Sequence, residues 1–162
     1  MVSIFVAALV PLIMGFIWYN PKFLGNAWMK EAGLNEDSMK GFNMAKTFIL
    51  TYILSVLICT ALMPMVIHQM GVFSMVMNEP GMKDPNSEIS MWLNGIMDKY
   101  GNNFRTFKHG ALHGTLAGIF LGLPIMGINA MFERKSWKYV FINAGFWAVC
   151  LALMGGIICA WK

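Results

Sequence analysis

Four long apolar stretches dominate the chain, and polar segments separate them. A helix of about 20 residues crosses a hydrocarbon core, and each stretch approaches or exceeds that length. None of them alternates apolar and polar residues as the strands of a membrane barrel do. The pattern predicts an all-α integral membrane four-helix bundle that forms a single transmembrane domain over residues 1–162, with helices at about 2–19, 47–69, 110–132 and 137–161 and an outer loop at 70–109.

The second loop carries a helical pattern of its own. Apolar residues recur there on one face and polar residues lie opposite them, which is typical of an amphipathic helix. Gly101 marks its end. The apolar set is Ile89, Trp92, Leu93, Ile96, Met97 and Tyr100. We therefore expect an extra amphipathic helix that lies across the outer mouth of the bundle or contacts a partner.

Small residues recur at four-residue spacing in the last two stretches. In lipid, helices associate through close backbone approach, which small side chains at i and i+4 permit. The rows are Gly110, Gly114, Gly118 and Gly122 in the third stretch, and Ala144, Ala148, Ala152, Gly156 and Ala160 in the fourth. The short loop between these stretches requires an antiparallel hairpin, so we expect the rows to face each other. The alternative is that one row faces a second copy of the protein.

The same short loop predicts the register of the hairpin. With the loop centred on residues 135–136, Gly110 lies level with Trp161 and Asn129 lies level with Asn143. The two amides would then form a hydrogen bond across the hairpin. Such bonds contribute only about 0.6 kcal/mol in membranes, so this pair would fix register more than it adds stability.

Composition supports the membrane interpretation and excludes other classes. Hydrophobic residues make up 57% of the chain and charged residues 12%, against roughly 25% charged in ordinary soluble domains. The net charge of +4 is spread over the loops, so there is no basic cluster of the kind that binds nucleic acid. We expect membrane lipids as partners and interpret the cysteines as apolar filler rather than a disulfide framework: Cys59, Cys150 and Cys159.

Basic residues predict the orientation, because cytoplasmic loops carry an excess of Lys and Arg. The first and third loops and their borders hold seven: Lys22, Lys30, Lys40, Lys46, Arg134, Lys135 and Lys138. The other side holds five: Lys83, Lys99, Arg105, Lys108 and Lys162. The termini and the second loop are therefore predicted to lie outside. The first stretch runs into the interfacial pair Trp18 and Tyr19, so we expect it to be retained rather than cleaved as a signal peptide.

Three histidines are the candidate metal ligands. His68 ends the second stretch, and His109 and His113 begin the third, so all three fall at the outer end. Imidazoles bind transition metals, and thioethers suit Cu(I); the methionines on this side are Met63, Met65, Met70, Met75 and Met77. A further alternative is a haem group bound by His68 and His113. We expect the histidines to bond to headgroups or loop carbonyls and the protein to have no cofactor, so metal and haem binding are the alternatives to this structural role.

Signatures of catalysis are absent from the sequence. No carboxylate lies within the four stretches, so the usual parts of a membrane proton relay are missing. No acidic residue accompanies the histidines as a general base, as it does in HExxH motifs. We predict that the protein is not an enzyme.

Several motifs resemble a known family. They are Gly15-Phe-Ile-Trp18-Tyr19-Asn20-Pro21 with Gly25 and Trp28, His113-Gly114 through Gly118, Gly127-Ile-Asn129, Phe132-Glu133-Arg134 and Asn143-Ala-Gly145-Phe. In these motifs the chain resembles the bacterial domain-of-unknown-function 1761 membrane protein family. The resemblance implies a small four-helix protein of the bacterial inner membrane with no established activity and no catalytic residues to transfer.

The leading functional hypothesis is a small polytopic inner-membrane protein that acts by interaction, as a homo-oligomer or as an accessory subunit of a larger membrane complex. The alternatives are an oligomeric small-solute or metal-ion transporter, and a cofactor-binding membrane protein that uses the three histidines. The sequence itself identifies no substrate or pathway.

Overall fold

The protein is all-helical over the residues that the structure describes. This structure is a computed structural model that describes residues 2–35, 37–39, 41 and 43–162, so Lys40 of the first loop lies outside the described part. The α-helices are α1 (Val2–Ala7), α2 (Val10–Trp18), α3 (Gly25–Ala32), α4 (Met44–Val66), α5 (His68–Val76), α6 (Glu88–Tyr100), α7 (Phe107–Ala117), α8 (Leu123–Phe132) and α9 (Trp137–Ala160). A 3₁₀ turn covers Asp37–Met39, and a π turn, Gly118–Gly122, joins α7 to α8.

Among the described residues, three helical segments are long and apolar enough to cross a membrane, by length and composition. They are Met44–Val66, Phe107–Phe132 and Trp137–Ala160. Val2–Trp18 is apolar but shorter, since 17 residues of helix extend about 25 Å against a core of about 30 Å. The structure therefore confirms three of the predicted spans in this sense and gives a shorter first segment, interrupted between Ala7 and Val10.

Prolines account for two of the irregularities. Pro11 has no N–H to offer the carbonyl of Ala7, four residues earlier, and α1 ends at Ala7. Pro124 follows the π turn, in which the Leu123 N–H bonds to the carbonyl of Gly118, five residues back. Pro64, in contrast, lies inside α4 without ending it.

The second predicted helix ends earlier than expected. The pattern placed one helix over 47–69, whereas Ile67 is extended and separates α4 from α5. The carbonyl of Val66 accepts a bond from Cys159 Sγ at 3.1 Å, and the Met70 N–H bonds to Ile67 instead. The residues around Ile67 do not predict the break, because neither glycine nor proline lies at this position and the contact with Cys159 is distant in sequence.

Helix α9 lies at the centre of the core. Helices α1, α2, α4, α7 and α8 all contact it. Cys150, Met154, Ile158 and Cys159 on it are fully buried. Its apolar residues lie on all sides, as expected of a helix that packs against neighbours on one side and meets lipid on the other.

The N-terminal end of α9 is held by α2 and α3. Trp18 Nε1 donates a hydrogen bond to the Ile142 carbonyl at 3.0 Å. Lys135 Nζ donates to the carbonyl of Ala32 at 2.7 Å, and Ser136 Oγ donates to the Glu31 carboxylate. These contacts dock α3, the helix of the first loop, against the start of α9.

The second loop contains two helices rather than the one predicted. Helix α6 is present at Glu88–Tyr100, and Ser87 caps its first turn by accepting from the Ser90 N–H. Leu93 is buried on it, whereas Trp92 and Tyr100 of the predicted apolar face are each 46% exposed. Helix α5, which packs against α6, was not predicted.

We predict that the docking of α3 weakens in acid. The hydrogen bond from Ser136 and the nearby Lys138 lower the pKa of Glu31 below its ordinary value. A lowered folded-state pKa stabilises docking at pH values above the ordinary carboxyl pKa of about 4.3, and the contribution is lost as the pH falls through the lowered value. Hydrogen exchange of α3, corrected for intrinsic rates, should show less protection in acid than at pH 7. Glu31→Gln is the control; an equal acid-induced loss in that variant would contradict the assignment.

Candidate functional site

Three glycines of the predicted row lie directly against the backbone of α9. A methyl group added to Gly110 would overlap the carbonyl of Gly155, and one added to Gly114 would overlap that of Leu151. At Gly118 the added carbon would lie 2.5 Å from the Cα of Ala148. From Gly110 to Gly118, about two turns, the backbone of this segment therefore lies on that of α9, and the nearest side-chain atoms are the Cβ carbons of Ala148 and Cys159.

The register of this contact differs from the one predicted. Gly110 lies against Gly155 and not at the level of Trp161. The prediction assumed two regular α-helices placed symmetrically about the short loop. The π turn at Gly118–Gly122 adds one residue to the first of them, and the shift is already present between that turn and the loop, where Gly127 lies against Trp137.

The contact positions on α9 follow steps of three and four residues rather than a fixed step of four. Its contacts with the glycines run through Ala148, Leu151 with Ala152, Gly155 and Cys159. An α-helix advances about 100° per residue, so each four-residue step drifts about 40° around the axis. Residues spaced by a constant four positions therefore rotate away from the interface towards both ends of the row. Gly155 was not among the predicted contact residues, although it is a small residue directly before Gly156.

The remaining members of the two rows have separate environments. Gly122 lines an open apolar groove of about 430 Å³ with Ile58 and Trp147, and a methyl group there would meet only the Ala117 carbonyl, 4.0 Å away. Gly156 packs against the ring of Phe107. Ala144 is buried and Ala160 is exposed.

The predicted hydrogen bond between Asn129 and Asn143 is wrong. Asn129 is exposed. Asn143 Oδ1 accepts from the Tyr19 hydroxyl at 2.9 Å, and its Nδ2 donates to the Tyr139 carbonyl at 2.8 Å. The shift of register removes Asn143 from the level of Asn129, and α2 supplies its partner instead.

The structure brings the three histidines together. The Nε2 atoms of His68 and His109 are 2.9 Å apart. One ring nitrogen from each of His68, His109 and His113 lies within 4.8 Å of the others. His68 is exposed, and the other two rings are half-buried. We call this cluster the histidine triad.

The segments that carry the triad are fixed to the last turns of α9. Cys159 Sγ bonds to the Val66 carbonyl, just before His68, and lies 3.3 Å from the Phe104 carbonyl. Arg105 Nε donates to the Cys159 carbonyl at 2.8 Å, and its Nη2 donates to the Trp161 carbonyl. Cys159 therefore does more than fill space, and the role of Arg105 as a cap of α9 had no signal in the sequence.

Two further contacts place the triad. Thr106 caps α7 by accepting from the His109 N–H, which sets the start of the helix that bears two of the histidines. Gln69 Nε2, next to His68, donates to the carbonyls of Tyr100 and Asn103. The start of α5 is thereby bonded to the end of α6.

A small cavity opens beside the triad. It has a volume of about 290 Å³, and its walls come from α5, α6 and the segment that follows α6. His68, Gln69, Ile96, Tyr100 and Phe104 are among its lining residues. A small molecule could therefore approach the exposed edge of His68.

The donor atoms of the triad are nitrogens alone. Of the predicted thioethers, Met63 and Met70 pack against the core, Met65 lines the apolar groove, and Met75 and Met77 are exposed. The ring centroids of His68 and His113 are 4.9 Å apart, which leaves no space for a macrocycle between them. This arrangement favours a single ion and does not fit the bis-histidine haem considered from the sequence.

The comparison with protein families identifies the family of this chain. A sequence model described as "Protein of unknown function (DUF1761)" matches residues 2–159. The chain belongs to this family. The match confirms the resemblance drawn from the motifs, and the matched range includes the histidine triad and the contact between α7 and α9. Neither the curated proteins nor the solved structures gave a match.

We predict that Gly114→Ala destabilises the protein strongly. The added methyl group would collide with the α9 backbone, and overpacking of this kind costs about 1–3 kcal/mol or more. Gly15→Ala is the matched control in an apolar helix, because a methyl group there meets nothing within 4 Å. Thermal unfolding in detergent, followed by circular dichroism, should show a marked loss only for Gly114→Ala. Equal behaviour of the two variants would contradict the close contact.

The two asparagines give a second prediction. Asn143→Ala removes the partner of the Tyr19 hydroxyl and should cost about 0.6 kcal/mol, up to about 1.7. Asn129→Ala changes an exposed side chain and should be neutral. The same unfolding assay measures both variants, and a larger loss for Asn129→Ala would restore the hairpin bond predicted from the sequence.

Proposed function

We propose that the protein is a multi-pass protein of the bacterial inner membrane that acts by binding a second copy of itself through its outer loop. The loop forms a hairpin of α5, residues 77–87 and α6, which we call the outer hairpin. In this proposal four segments cross the bilayer as a bundle, and the termini and the outer hairpin lie outside.

The path of the first segment supports four crossings. Val6 of α1 shares a surface cavity with Ile157 and Trp161 at the C-terminal end of α9. Trp18, at the end of α2, bonds to Ile142 near the start of α9. The first segment thus follows α9 almost from end to end. Although it is short for a span, a bilayer can thin locally around a short apolar segment at modest energetic cost.

The ends of the helices support the proposed orientation. The first and third loops meet where Lys135 and Ser136 contact α3. These are the loops with the larger number of basic residues, which favours their placement in the cytoplasm. Gln69, Arg105 and Trp161 meet at the opposite end, which is then the outer end.

One observation carries the interaction function. Beyond the end of α4, large apolar side chains of the outer hairpin lie open to solvent: Phe73 at 49%, Met75 at 75%, Met77 at 50%, Met91 at 58% and Trp92 at 46%. Apolar side chains within a span face acyl chains, whereas these exposed apolar side chains lie outside the three candidate spans, and their number in one loop supports a binding surface.

The charge of the outer hairpin favours a protein partner over a lipid surface. Its sequence has two basic residues against four acidic ones, Lys83 and Lys99 against Glu79, Asp84, Glu88 and Asp98. Helices that bind anionic lipid are instead rich in Lys and Arg. A non-enzymatic role is supported by the absence of carboxylates from the sequences of the three candidate spans.

The proposal predicts an oligomer that depends on Trp92. Native mass measurement in a mild detergent should give a multiple of the 18.2 kDa chain mass. Trp92→Glu should shift the mass to that of the monomer, because a charge would replace an apolar contact. Lys83→Gln is the control, since it changes the net charge by the same amount at an exposed site and should leave the oligomer intact. A monomeric wild type at all concentrations would refute the proposal.

A further inference from the structure

We propose that His68, His109 and His113 bind one divalent transition-metal ion of the kind that prefers imidazole, with Zn²⁺ as the representative. This inference does not depend on the oligomer proposed above. It stands on the geometry of the three rings, on the rigidity of the segments that carry them and on the chemistry of the donors.

The distances between the nitrogens fit one shared ion. Zinc binds histidine nitrogen at about 2.0–2.1 Å in tetrahedral geometry, which places neighbouring ligand nitrogens about 3.3 Å apart. The His68 and His109 nitrogens are 2.9 Å apart, and all three lie within 4.8 Å of one another. Small rotations of the side chains bring the three into coordination distance.

The triad draws its ligands from two segments whose positions are fixed independently of a metal. His109 and His113 are four residues apart on α7, whose backbone at Gly110 rests on Gly155. His68 follows Val66 and Ile67, which are both buried. Because the backbone is fixed on both sides, an ion needs to order only the three side chains, and that lowers the entropic cost of binding.

The donor set excludes the hard cations. Calcium and magnesium take oxygen ligands, whereas the triad offers imidazole nitrogens, which suit zinc, copper(II) and nickel. Three protein ligands leave a fourth position open, as in zinc sites that bind water or a substrate. The exposed ring of His68 also lines a small cavity, so water or a small anion is the fourth ligand expected.

A single hydrogen bond between His68 and His109 would explain only part of the arrangement. The ring centroid of His113 is 4.9 Å from that of His68 and 4.5 Å from that of His109. Among the described residues, no hydrogen bond holds the His113 side chain in this place. A shared ion gives all three rings a common partner.

No histidine outside the triad can bind the added metal, because the three histidines of the chain all belong to the triad. Full-length protein that has no histidine tag, stripped of metal with a chelator and held in mild detergent, is titrated with Zn²⁺ by calorimetry. We expect one ion per chain. Titration with Co²⁺ should give the intense visible absorption of a tetrahedral site, and Ca²⁺ and Mg²⁺ should not bind.

Single substitutions of the histidines test whether all three bind the ion. His68→Gln, His109→Gln and His113→Gln should each weaken Zn²⁺ binding at least about 100-fold, more than the loss of an indirect partner of a metal ligand. Glu88→Gln removes a carboxylate of the outer hairpin and should leave the affinity unchanged. Circular dichroism of the metal-free variants checks that each is folded. In addition, Zn²⁺ should raise the melting temperature of the wild type and of Glu88→Gln, because the ion binds the folded state, but not that of the histidine variants.

Three results would overturn the proposal. The first is no saturable Zn²⁺ binding to the wild type. The second is binding that survives all three histidine substitutions, which would place the ion elsewhere. The third is binding that is lost in His68→Gln and His109→Gln but unchanged in folded His113→Gln, which would leave only a pair of ligands.

Discussion

The backbone contact between α7 and α9 is the constraint on which the rest of this structure depends. Gly110, Gly114 and Gly118 have no side chain, so α7 lies closer to α9 than any larger residue would allow. The close approach buries one side of α9 and, through the bonds of Cys159, holds the start of α7 beside the end of α4. Through that placement, a packing feature in the bundle determines where the histidines meet.

The sequence predicted the elements whose causes are local. The apolar stretches, the small-residue rows and the pattern of α6 each depend on residues within one helix, and they appear in the structure close to their predicted places. The family could also be identified, because its motifs lie within short segments. The convergence of His68 with His109 and His113 followed from the order of the helices alone, since two helix ends meet at one end of the bundle.

Features that arise between helices could not be predicted. Asn143 bonds to Tyr19, 124 positions away, and no local pattern distinguishes this partner from Asn129. The break at Ile67 accompanies a bond from Cys159 to the neighbouring carbonyl. The register of the hairpin also differs from the level pairing of regular helices: Gly110 lies against Gly155, and Gly127 lies against Trp137.

The attachment of both histidine-bearing segments to the final turn of α9 has a mechanical consequence. Cys159 holds the carbonyl before His68, and Arg105 ties the approach to α7 to the same turn. If α9 slid by one residue, about 1.5 Å, it would carry both segments in the same direction. The bonds at Cys159 thus couple the two histidine-bearing segments to each other as well as to the central helix.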